Sequence, residues 1–524
     1  MSGQKDELIE LAQDENNELF HWNDEAYAHL EGKKTVKVRG KELRRYLVYR
    51  YYLQHGGAPG TQALQDAVGT LEAKAIFEGD EIPVHIRTAG DSWREIFFDL
   101  GTSDYSAVRI TPGSWVIIDR PPVRFYRPPR LRGYQAEPIS GSDIEEELRP
   151  FLNIETENQW ILLLAFITDS MRPSPEKVHA VVNGQQGSGK SDTCKLIKRS
   201  VDPNAAELRS QPKEERNLAI AAQNDYLLVF DNSSSISGDL SDAYCGLSTG
   251  RAFSTRALYT DTEETTIDAL RPVVLNGITD FVNRSDLMDR SIFLSLPVIE
   301  EEDRIPEMEY WKKFYEREGK ILGALFDIIA EAMRHYPEDT PPLPRMTEFS
   351  KWGIALEKAM GWPEGAFLDA YRENRNSSNE LAIEGNPVAK EVRKLVRTMG
   401  YWSGTASELL NTLNENAAEE VTAGKYWPSN ARWLSDRLKR AAPNLRGVGV
   451  DVIFDNHSTA ERIVRISRKS NVHSDNDNHE EPDVDAVDAM DAKNQPHSKD
   501  HEYDSEFDFE PDLPEEDEEG GIEL

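Results

Sequence analysis

Hydrophobic and polar positions along residues 1–135 change their period part of the way through. Apolar side chains recur at helical spacing over residues 42–54 and 62–78, whereas residues 82–119 approach the period of two that is typical of strands. The first thirty residues look weakly helical and exposed, and the proline-rich stretch at 121–129 is typical of a linker. This pattern predicts an α+β accessory domain over residues 1–135.

Residues 136–305 show a different pattern, in which short apolar runs alternate with helix-like stretches. The strand-like runs lie at 178–182, 226–230, 272–275 and 291–296. Because strands that alternate with helices form parallel sheets covered on both faces, we expect an α/β core here. Residues 306–388 resemble a set of helices and are predicted to form a helical subdomain.

The end of the chain divides into a basic and an acidic part. Helix-like stretches followed by two β-like runs suit a winged-helix-like module over residues 389–470, where positions 390–470 hold 14 basic and 9 acidic side chains. Residues 471–524 hold 21 acidic and 2 basic side chains with few aliphatic ones, which predicts a disordered acidic tail. The formal net charge of −34 therefore does not exclude a nucleic-acid partner.

Composition also indicates in which cellular compartment the protein is expected. Cys194 and Cys245 are the two cysteines of the chain, too few for a disulfide framework, and they fit a reducing environment. The acidic, polar start of the chain is unlike a secretory signal, and the longest apolar run, residues 160–168, is too short to span a bilayer. We therefore expect a soluble cytoplasmic protein without a membrane partner.

One eight-residue motif gives the clearest chemical prediction. It follows the run at 178–182 and consists of Gly184, Gln185, Gln186, Gly187, Ser188, Gly189, Lys190 and Ser191. Such a loop between a strand and a helix lets backbone N–H groups surround a polyphosphate. We expect it to bind ATP, with Lys190 at the β- and γ-phosphates and the Ser191 hydroxyl on Mg²⁺. An ordinary glycine-rich turn is the alternative.

A phosphate-binding loop needs an acidic partner for Mg²⁺ at the end of a neighbouring strand. Asp231 directly follows the apolar run that ends at Phe230, and it is the candidate for this role. The alternative is an aspartate that merely ends a buried strand. Asn232 follows it, and although an amide is no general base, it can orient an attacking water.

Two later residues complete the predicted catalytic set. Asn276 ends the run at 272–275 and is placed to reach the γ-phosphate or the attacking water. Arg290 precedes the next strand and would act as an arginine finger in an adjacent subunit, which implies a ring. For Arg290 the alternative is a salt bridge to Asp286 or Asp289.

In this order the motifs resemble the core of superfamily 3 helicases, which are AAA+-related ATPases of viruses, phages and plasmids. The similarity is greatest to the helicase half of phage and mobile-element primase-helicases of the poxvirus type, and it covers residues 150–300. It implies that Lys190 and Ser191 bind phosphate and Mg²⁺, that Asp231 is the second Mg²⁺ partner, that Asn276 is a sensor and that Arg290 is the finger.

Two departures from this family pattern affect the expected activity. Asn232 stands where many related ATPases have a glutamate, so the hydrolytic base is not identified. The tip of the hairpin that contacts DNA in the family corresponds to residues 260–264, which are acidic here rather than basic. Arg251 and Arg256 are the nearby candidates for DNA contacts, and a structural role for Arg256 is equally compatible with the sequence.

The predicted C-terminal module offers a second candidate DNA contact. A helix capped by Ser429 or Asn430 would expose Arg432, Lys439 and Arg440, which would contact phosphates or enter the major groove. The alternative is a solvated basic face on a protein-interaction module. The acidic tail would solubilise the protein or compete with DNA for this module.

These features predict an Mg²⁺- and ATP-dependent DNA helicase or translocase that acts in replication of a phage, plasmid or integrated mobile element. We expect single-stranded or forked DNA as substrate and a homo-hexameric ring, with a primase or another replisome protein as a candidate partner. Two alternatives remain at this point. One is an ATP-switched DNA-binding regulator with slow turnover, and the other is an ATPase for DNA packaging or defence.

Overall fold

The computed structural model describes the backbone of residues 3–250, 253–256, 264–267, 269–278, 281–282, 284–424, 427–455 and 463–468. In the two short stretches 253–256 and 264–267 only the backbone is described. Residues 260–263, which belong to the candidate hairpin tip, lie outside these ranges, as does the predicted tail at 471–524. Within the described part of the chain, no helix is long and apolar enough to cross a membrane.

The chain begins with helices packed on a small antiparallel sheet. Its elements are α1 (Gln4–Ala12), β1 (Glu18–Trp22), β2 (Glu25–Leu30), β3 (Lys34–Lys37), α2 (Lys41–His55) and α3 (Thr61–Phe77). The helices α2 and α3 confirm the helical spacing in the sequence. The weakly helical prediction for the first thirty residues is wrong beyond α1, because residues 18–22 and 25–30 form strands, and β2 places Ala28 and Leu30 in the core that it shares with the helices.

A second antiparallel sheet follows, in the order β5-β6-β7-β8. The elements of this region are β4 (Val84–His85), β5 (Thr88–Asp91), β6 (Glu95–Asp99), β7 (Ala107–Thr111), β8 (Ser114–Ile118) and β9 (Arg124–Phe125). The apolar residues Phe98 and Val108 of this sheet belong to the same hydrophobic core as the central helices of the chain. The α+β character predicted for residues 1–135 is therefore present.

The central region is a five-stranded parallel sheet with helices on both faces, as the sequence predicted. Its elements are α4 (Ile144–Glu147), α5 (Glu157–Ser170), β10 (His179–Gly184), α6 (Lys190–Val201), β11 (Arg209–Ser210), α7 (Glu215–Asn224), β12 (Leu228–Ser233), α8 (Gly238–Thr249), β13 (Phe253–Arg256), β14 (Glu264–Ile267), β15 (Val273–Gly277), α9 (Ser285–Met288) and β16 (Ser291–Leu296). The strand order is β11-β12-β15-β10-β16. Successive residues of β12, such as Val229 and Phe230, pack into two different hydrophobic clusters, so both faces of the sheet are covered.

Helices and a small sheet complete the described chain. The elements are α10 (Glu307–Met333), α11 (Thr347–Met360), α12 (Ala366–Glu384), α13 (Pro387–Met399), β17 (Tyr401–Thr405), α14 (Ala406–Asn416), α15 (Glu419–Thr422), α16 (Ala431–Gly447), β18 (Val450–Asp455) and β19 (Ile463–Arg468). Strands β17, β19 and β18 form an antiparallel sheet in that order. Two of its strands match the predicted β-like runs, whereas β17 was not expected.

A buried ionic cluster joins the second sheet to the parallel sheet. Arg87 lies between β4 and β5, and its Nη2 is 2.9 Å from Oδ1 of Asp202, which ends α6. Lys198 Nζ is 2.8 Å from the other carboxylate oxygen, and all three residues are at most 1% exposed. The same carboxylate accepts hydrogen bonds from the backbone N–H groups of Tyr226 and Leu227, just before β12.

Candidate nucleotide-binding site

The loop between β10 and α6 has a backbone that requires its glycines. Gly187 and Gly189 have φ angles of +84° and +76°, a region that residues with a Cβ atom rarely adopt. At Gly184 a Cβ atom would lie 2.5 Å from Ser188 Oγ and 2.8 Å from the carbonyl oxygen of Leu296. The motif is therefore a strand–loop–helix turn of the shape that cradles phosphate, with Gln185 and Gln186 exposed at its tip.

Lys190 begins α6 and folds its side chain back over the loop. Its ammonium group donates hydrogen bonds to the carbonyl oxygens of Gly184, at 2.8 Å, and Gln185, at 2.7 Å. Burial lowers the pKa of Lys190 from its ordinary value, and the Asp231 carboxylate partly opposes this effect. The cation is thus held at the loop by neutral carbonyl groups, which a phosphate oxygen can replace as its partner.

Three side chains meet beside the loop at the carboxyl edge of the sheet. The Ser191 hydroxyl donates to Asp231, with Oγ at 3.3 Å and 3.2 Å from the two carboxylate oxygens. Asn276, which is 1% exposed, donates from Nδ2 to Asp231 Oδ1 at 2.6 Å. The structure therefore brings together the serine, aspartate and asparagine that the sequence assigned to one site.

Strand order explains how Asn276 enters this group. Strand β15 lies between β10 and β12, and its register pairs Asn276 with Val182 of β10. Register between β12 and β15 is irregular from Phe230 to Ser233, so Asp231 has no paired residue on β15, although it pairs with Ser210 of β11 on its other side. Asn232 has a φ of +57° and is exposed, so its amide lies next to Asp231 but outside the hydrogen-bonded group.

The site also contains residues that the sequence did not single out. Asn153 donates from Nδ2 to the carbonyl oxygens of Ser188, at 3.1 Å, and Pro297, at 2.8 Å, and so ties the loop to the segment after β16. In that segment Arg304 donates to the carbonyl oxygen of Ile299. A Cβ atom at Gly187 would lie 3.5 Å from Nη2 of Arg304, so this guanidinium group lies against the loop.

Arg304 follows the acidic run Glu300 to Asp303. This isolated positive charge was the one feature of the sequence that could have identified Arg304 as a site residue. The described residues include no cluster of three or more histidine, cysteine or acidic side chains able to hold a metal ion. A Mg²⁺ ion at this site would therefore depend on Ser191, Asp231 and phosphate oxygens, which are oxygen ligands of the kind it prefers.

Arg290 lies at the amino-terminal ends of the strands, whereas the loop lies at their carboxyl-terminal ends. It precedes β16, where Ser291 pairs with His179 and Leu296 pairs with Gly184, and five residue steps of a strand span about 17 Å. The guanidinium group donates to the carbonyl oxygen of Asp286 at 2.8 Å. In one chain the structure does not bring Arg290 to the other site residues.

The alternative salt bridges of Arg290 are not formed in the described residues. Asp286 pairs with Arg345 at 3.4 Å, and Asp289 pairs with Arg375 at 2.5 Å. Nε of Arg290 is buried without a hydrogen-bond partner in the structure. These two carboxylates therefore have other cationic partners, and the Arg290 guanidinium group retains an N–H donor without a hydrogen-bond partner.

The predicted DNA contacts are separate from this site in the chain. Arg251 lies outside the described residues, and Arg256 is the last residue of β13, where it pairs in register with Glu264 of β14. On α16 the exposed residues Arg432, Lys439 and Arg440 share a helix whose N-terminus is capped by the Asn430 side chain. The ammonium group of Lys439 lies 5.5 Å from the ring centre of Phe454 on β18.

Comparison with known proteins gives matches to family models and to solved structures. The C-terminal region of NrS-1 is 13% identical, with 88% of this chain and 99% of that chain covered at a TM-score of 0.38. The active helicase Cch of SCCmec type IV is 10% identical, with 85% and 90% covered at a TM-score of 0.41. Similarity at this level adds no argument about function, and no curated protein matches the sequence.

Two family models match successive parts of the chain. Residues 145–380 match the actinomycete integrative conjugative element replication protein, and residues 388–481 match the C-terminal domain of the same replication protein, RepA. The first match includes the whole parallel sheet with its loop, and the second includes the small sheet β17-β19-β18. Together the models cover more than half of the chain, which over these residues is similar to actinomycete integrative conjugative element replication proteins.

Proposed function

We propose that this replication protein is an Mg²⁺-dependent ATPase of the superfamily 3, AAA+-related type, and that ATP hydrolysis drives movement along DNA as a helicase does. The observation that carries the proposal is the contact of Ser191 and Asn276 with Asp231 beside the glycine loop. A hydroxyl, a carboxylate and a buried amide at one edge of a parallel sheet form the set that positions a triphosphate, its metal ion and an attacking water.

Each side chain has a distinct role in this proposal. Lys190 exchanges its loop carbonyl partners for the β- and γ-phosphates, and the positive end of α6 adds to their binding. Bound Mg²⁺ would neutralise charge that develops on the phosphates, with Ser191 and Asp231 as its protein partners. Asn276 fixes the Asp231 carboxylate and reaches towards the γ-phosphate. The exposed amide of Asn232 is available to orient water.

In this proposal the nucleotide site is completed by a second subunit. Arg290 lies about 17 Å along the sheet from its own loop, so it can serve only the site of a neighbouring copy. A repeated head-to-tail contact of this kind closes into a ring, and a homo-hexamer is the expected assembly. We further propose that α13, α14, α16 and the sheet β17-β19-β18 form a winged helix that binds DNA through Arg432, Lys439 and Arg440.

The test is DNA-stimulated ATP hydrolysis by the full chain and two variants. We expect Lys190→Ala and Arg290→Ala each to lower the turnover number at least a hundredfold, because each removes a cation from the transition-state phosphates. Mixing the two inactive variants should restore activity, since some interfaces then pair an intact loop with an intact arginine. Lys195→Ala, on the same helix as Lys190, is the matched control and should leave turnover within twofold.

The alternative with a specific observation in its favour is an ATP-switched DNA-binding regulator. The exposed amide of Asn232 replaces a carboxylate that could act as general base, which favours slow turnover. Tight ATP binding with negligible hydrolysis in the presence of DNA would support this alternative. Hydrolysis that is not restored in the mixed variants would contradict the shared site, whatever its rate.

A further inference from the structure

Helix α2 carries a solvent-facing row of cationic and aromatic side chains. Leu43, Leu47 and Tyr51 pack into the core of the first helices and sheet. The row recurs at intervals of three and four residues, the spacing of one helical face, and consists of the exposed residues Arg44, Arg45, Tyr49 and Tyr52 with the half-buried Val48 between them. This face lies before residue 145, outside both regions that match the replication-protein family.

The row lines an open groove with aromatic walls. Together with Ala58, which follows the helix, these residues line a groove of about 400 Å³. The side chains of Tyr49 and Tyr52 are 60% and 53% exposed, and within the described residues no other ring or cation packs on either. Two large aromatic faces are therefore open to solvent at neighbouring positions of one helix, which mark a site of interaction.

The positive charge of the groove is not neutralised within the described residues. Neighbouring cations have carboxylate partners: Lys34 pairs with Glu42 at 2.9 Å, and Arg39 pairs with Glu72 at 2.5 Å. The guanidinium groups of Arg44 and Arg45 form no ion pair and no hydrogen bond in the described part of the chain. In a protein with a formal net charge of −34, two unpaired arginines beside exposed aromatics favour a polyanionic partner.

We propose that this face of α2, the Arg44–Tyr52 groove, binds single-stranded nucleic acid. Bases would stack on Tyr49 and Tyr52, which are three residues apart and therefore lie on the same face of the helix. Arg44 and Arg45 would pair with the phosphates of the same strand. Unpaired bases expose the faces that this groove needs, whereas those of a duplex are stacked within it.

The experiment uses the full chain without ATP and a labelled 20-nucleotide oligothymidylate containing 5-iododeoxyuridine, which cross-links to stacked aromatic side chains. We expect cross-links in the peptides that contain Tyr49 and Tyr52. Exchange of both tyrosines for alanine should abolish these cross-links and weaken binding at least fivefold, because stacking contributes substantially per base. Exchange of both for phenylalanine should preserve binding, since the ring faces remain.

The contribution of Arg44 and Arg45 is tested by the salt dependence of binding. Replacement of Arg44 and Arg45 with glutamine should reduce the slope of the logarithm of the binding constant against the logarithm of salt concentration by about 1.4, since each phosphate contact on a single strand contributes about 0.7. Arg39→Gln is the matched control, because Arg39 is exposed but already paired. Phe77→Ala removes an exposed aromatic side chain at the end of α3 and should have no effect.

Cross-links confined to other parts of the chain, with unchanged affinity of the double alanine variant, would overturn the proposal. It would also fall if that variant lost a self-association detected by sedimentation while its cross-links to other residues and its affinity stayed the same, since the face would then be a contact between copies. Binding of a peptide of residues 503–512 that requires the tyrosines, without binding of the oligonucleotide, would assign the groove to the acidic tail. Since Lys190→Ala should cross-link like the wild type, failure of the ATPase proposal is a separate result.

Discussion

Arg87 provides a direct test of how the second sheet is joined to the parallel sheet. Its guanidinium group lies 2.9 Å from Asp202 and is fully buried, so Arg87→Met leaves a buried carboxylate with one cationic partner fewer. Removal of one member of a buried pair costs about 3–5 kcal/mol. Lys198 and two backbone N–H groups still contact Asp202, so we expect the lower end, about 3 kcal/mol.

Hydrogen exchange measured by mass spectrometry reports this loss locally. The Tyr226 and Leu227 amides donate to Asp202, so peptides that cover residues 226–230 should exchange more than a hundredfold faster in Arg87→Met, as about 3 kcal/mol corresponds to roughly two decades in the opening equilibrium. Arg109→Met is the matched control, because Arg109 pairs with Glu95 at the surface of the same sheet. An exposed pair contributes at most about 1 kcal/mol, so this variant should change exchange by less than tenfold.

Substitutions at Arg87 and Asp202 should also be non-additive in their effect on stability. Asp202→Leu alone leaves Arg87 buried without its carboxylate, whereas the double variant Arg87→Met with Asp202→Leu removes both charges. Lys198 loses its carboxylate in both cases, but the double variant no longer buries an unpaired Arg87, so it should be more stable than the sum of its single changes implies. Unchanged exchange at residues 226–230 in Arg87→Met, or strict additivity in the double variant, would refute the proposed coupling.

Four further outcomes are expected. Asp231→Ala should abolish the tightening of ATP binding by Mg²⁺ in calorimetry while binding of metal-free nucleotide persists, because Asp231 is the proposed carboxylate partner of the metal ion. Asn276→Asp places a second carboxyl group against Asp231, so hydrolysis should fall at neutral pH and recover on acidification as the pair takes up a proton; a flat pH–rate profile would contradict this. Arg304→Gln should weaken ATP binding several-fold in a fluorescent-nucleotide displacement assay. Burial alone would raise the pKa of Asp202, but Lys198 and Arg87 outweigh it and lower the pKa to about 2, so its stabilisation should be complete above pH about 4 and disappear towards pH 2 in acid-unfolding curves.

The parallel sheet was predictable because its strands are apolar on both faces and stand out between polar flanks. The predicted runs at 178–182 and 291–296 agree with β10 and β16 to within two residues. The short edge strand β11 was missed, since Arg209 and Ser210 carry no apolar pattern and pair only through their backbone. Strands β1 and β2 were missed for a related reason, because their burial depends on the helices that cover them.

Within the candidate site, local motifs identified the loop, Asp231 and Asn276, because each stands at the end of an apolar strand. Strand order then brings these strand ends together, and sequence spacing does not specify that order. Asn153 and Arg304 were missed because they reach the loop from segments far away in the chain. The irregular register at Asp231 likewise depends on the neighbouring strand β15 and leaves no mark in the local pattern.

The place of β15 in the sheet has a consequence for communication within one subunit. Strand β14 ends at Ile267 and β15 begins at Val273, so five residues separate the β13–β14 hairpin from the strand that carries Asn276. Arg271 fixes this connection through hydrogen bonds to the carbonyl oxygens of Ala222 and Leu270. A displacement of the hairpin would thus reach the Asp231 carboxylate through fewer than a dozen covalently linked residues. In the proposed ATP site, a γ-phosphate beside Asp231 would therefore be linked to the position of the hairpin through the chain itself.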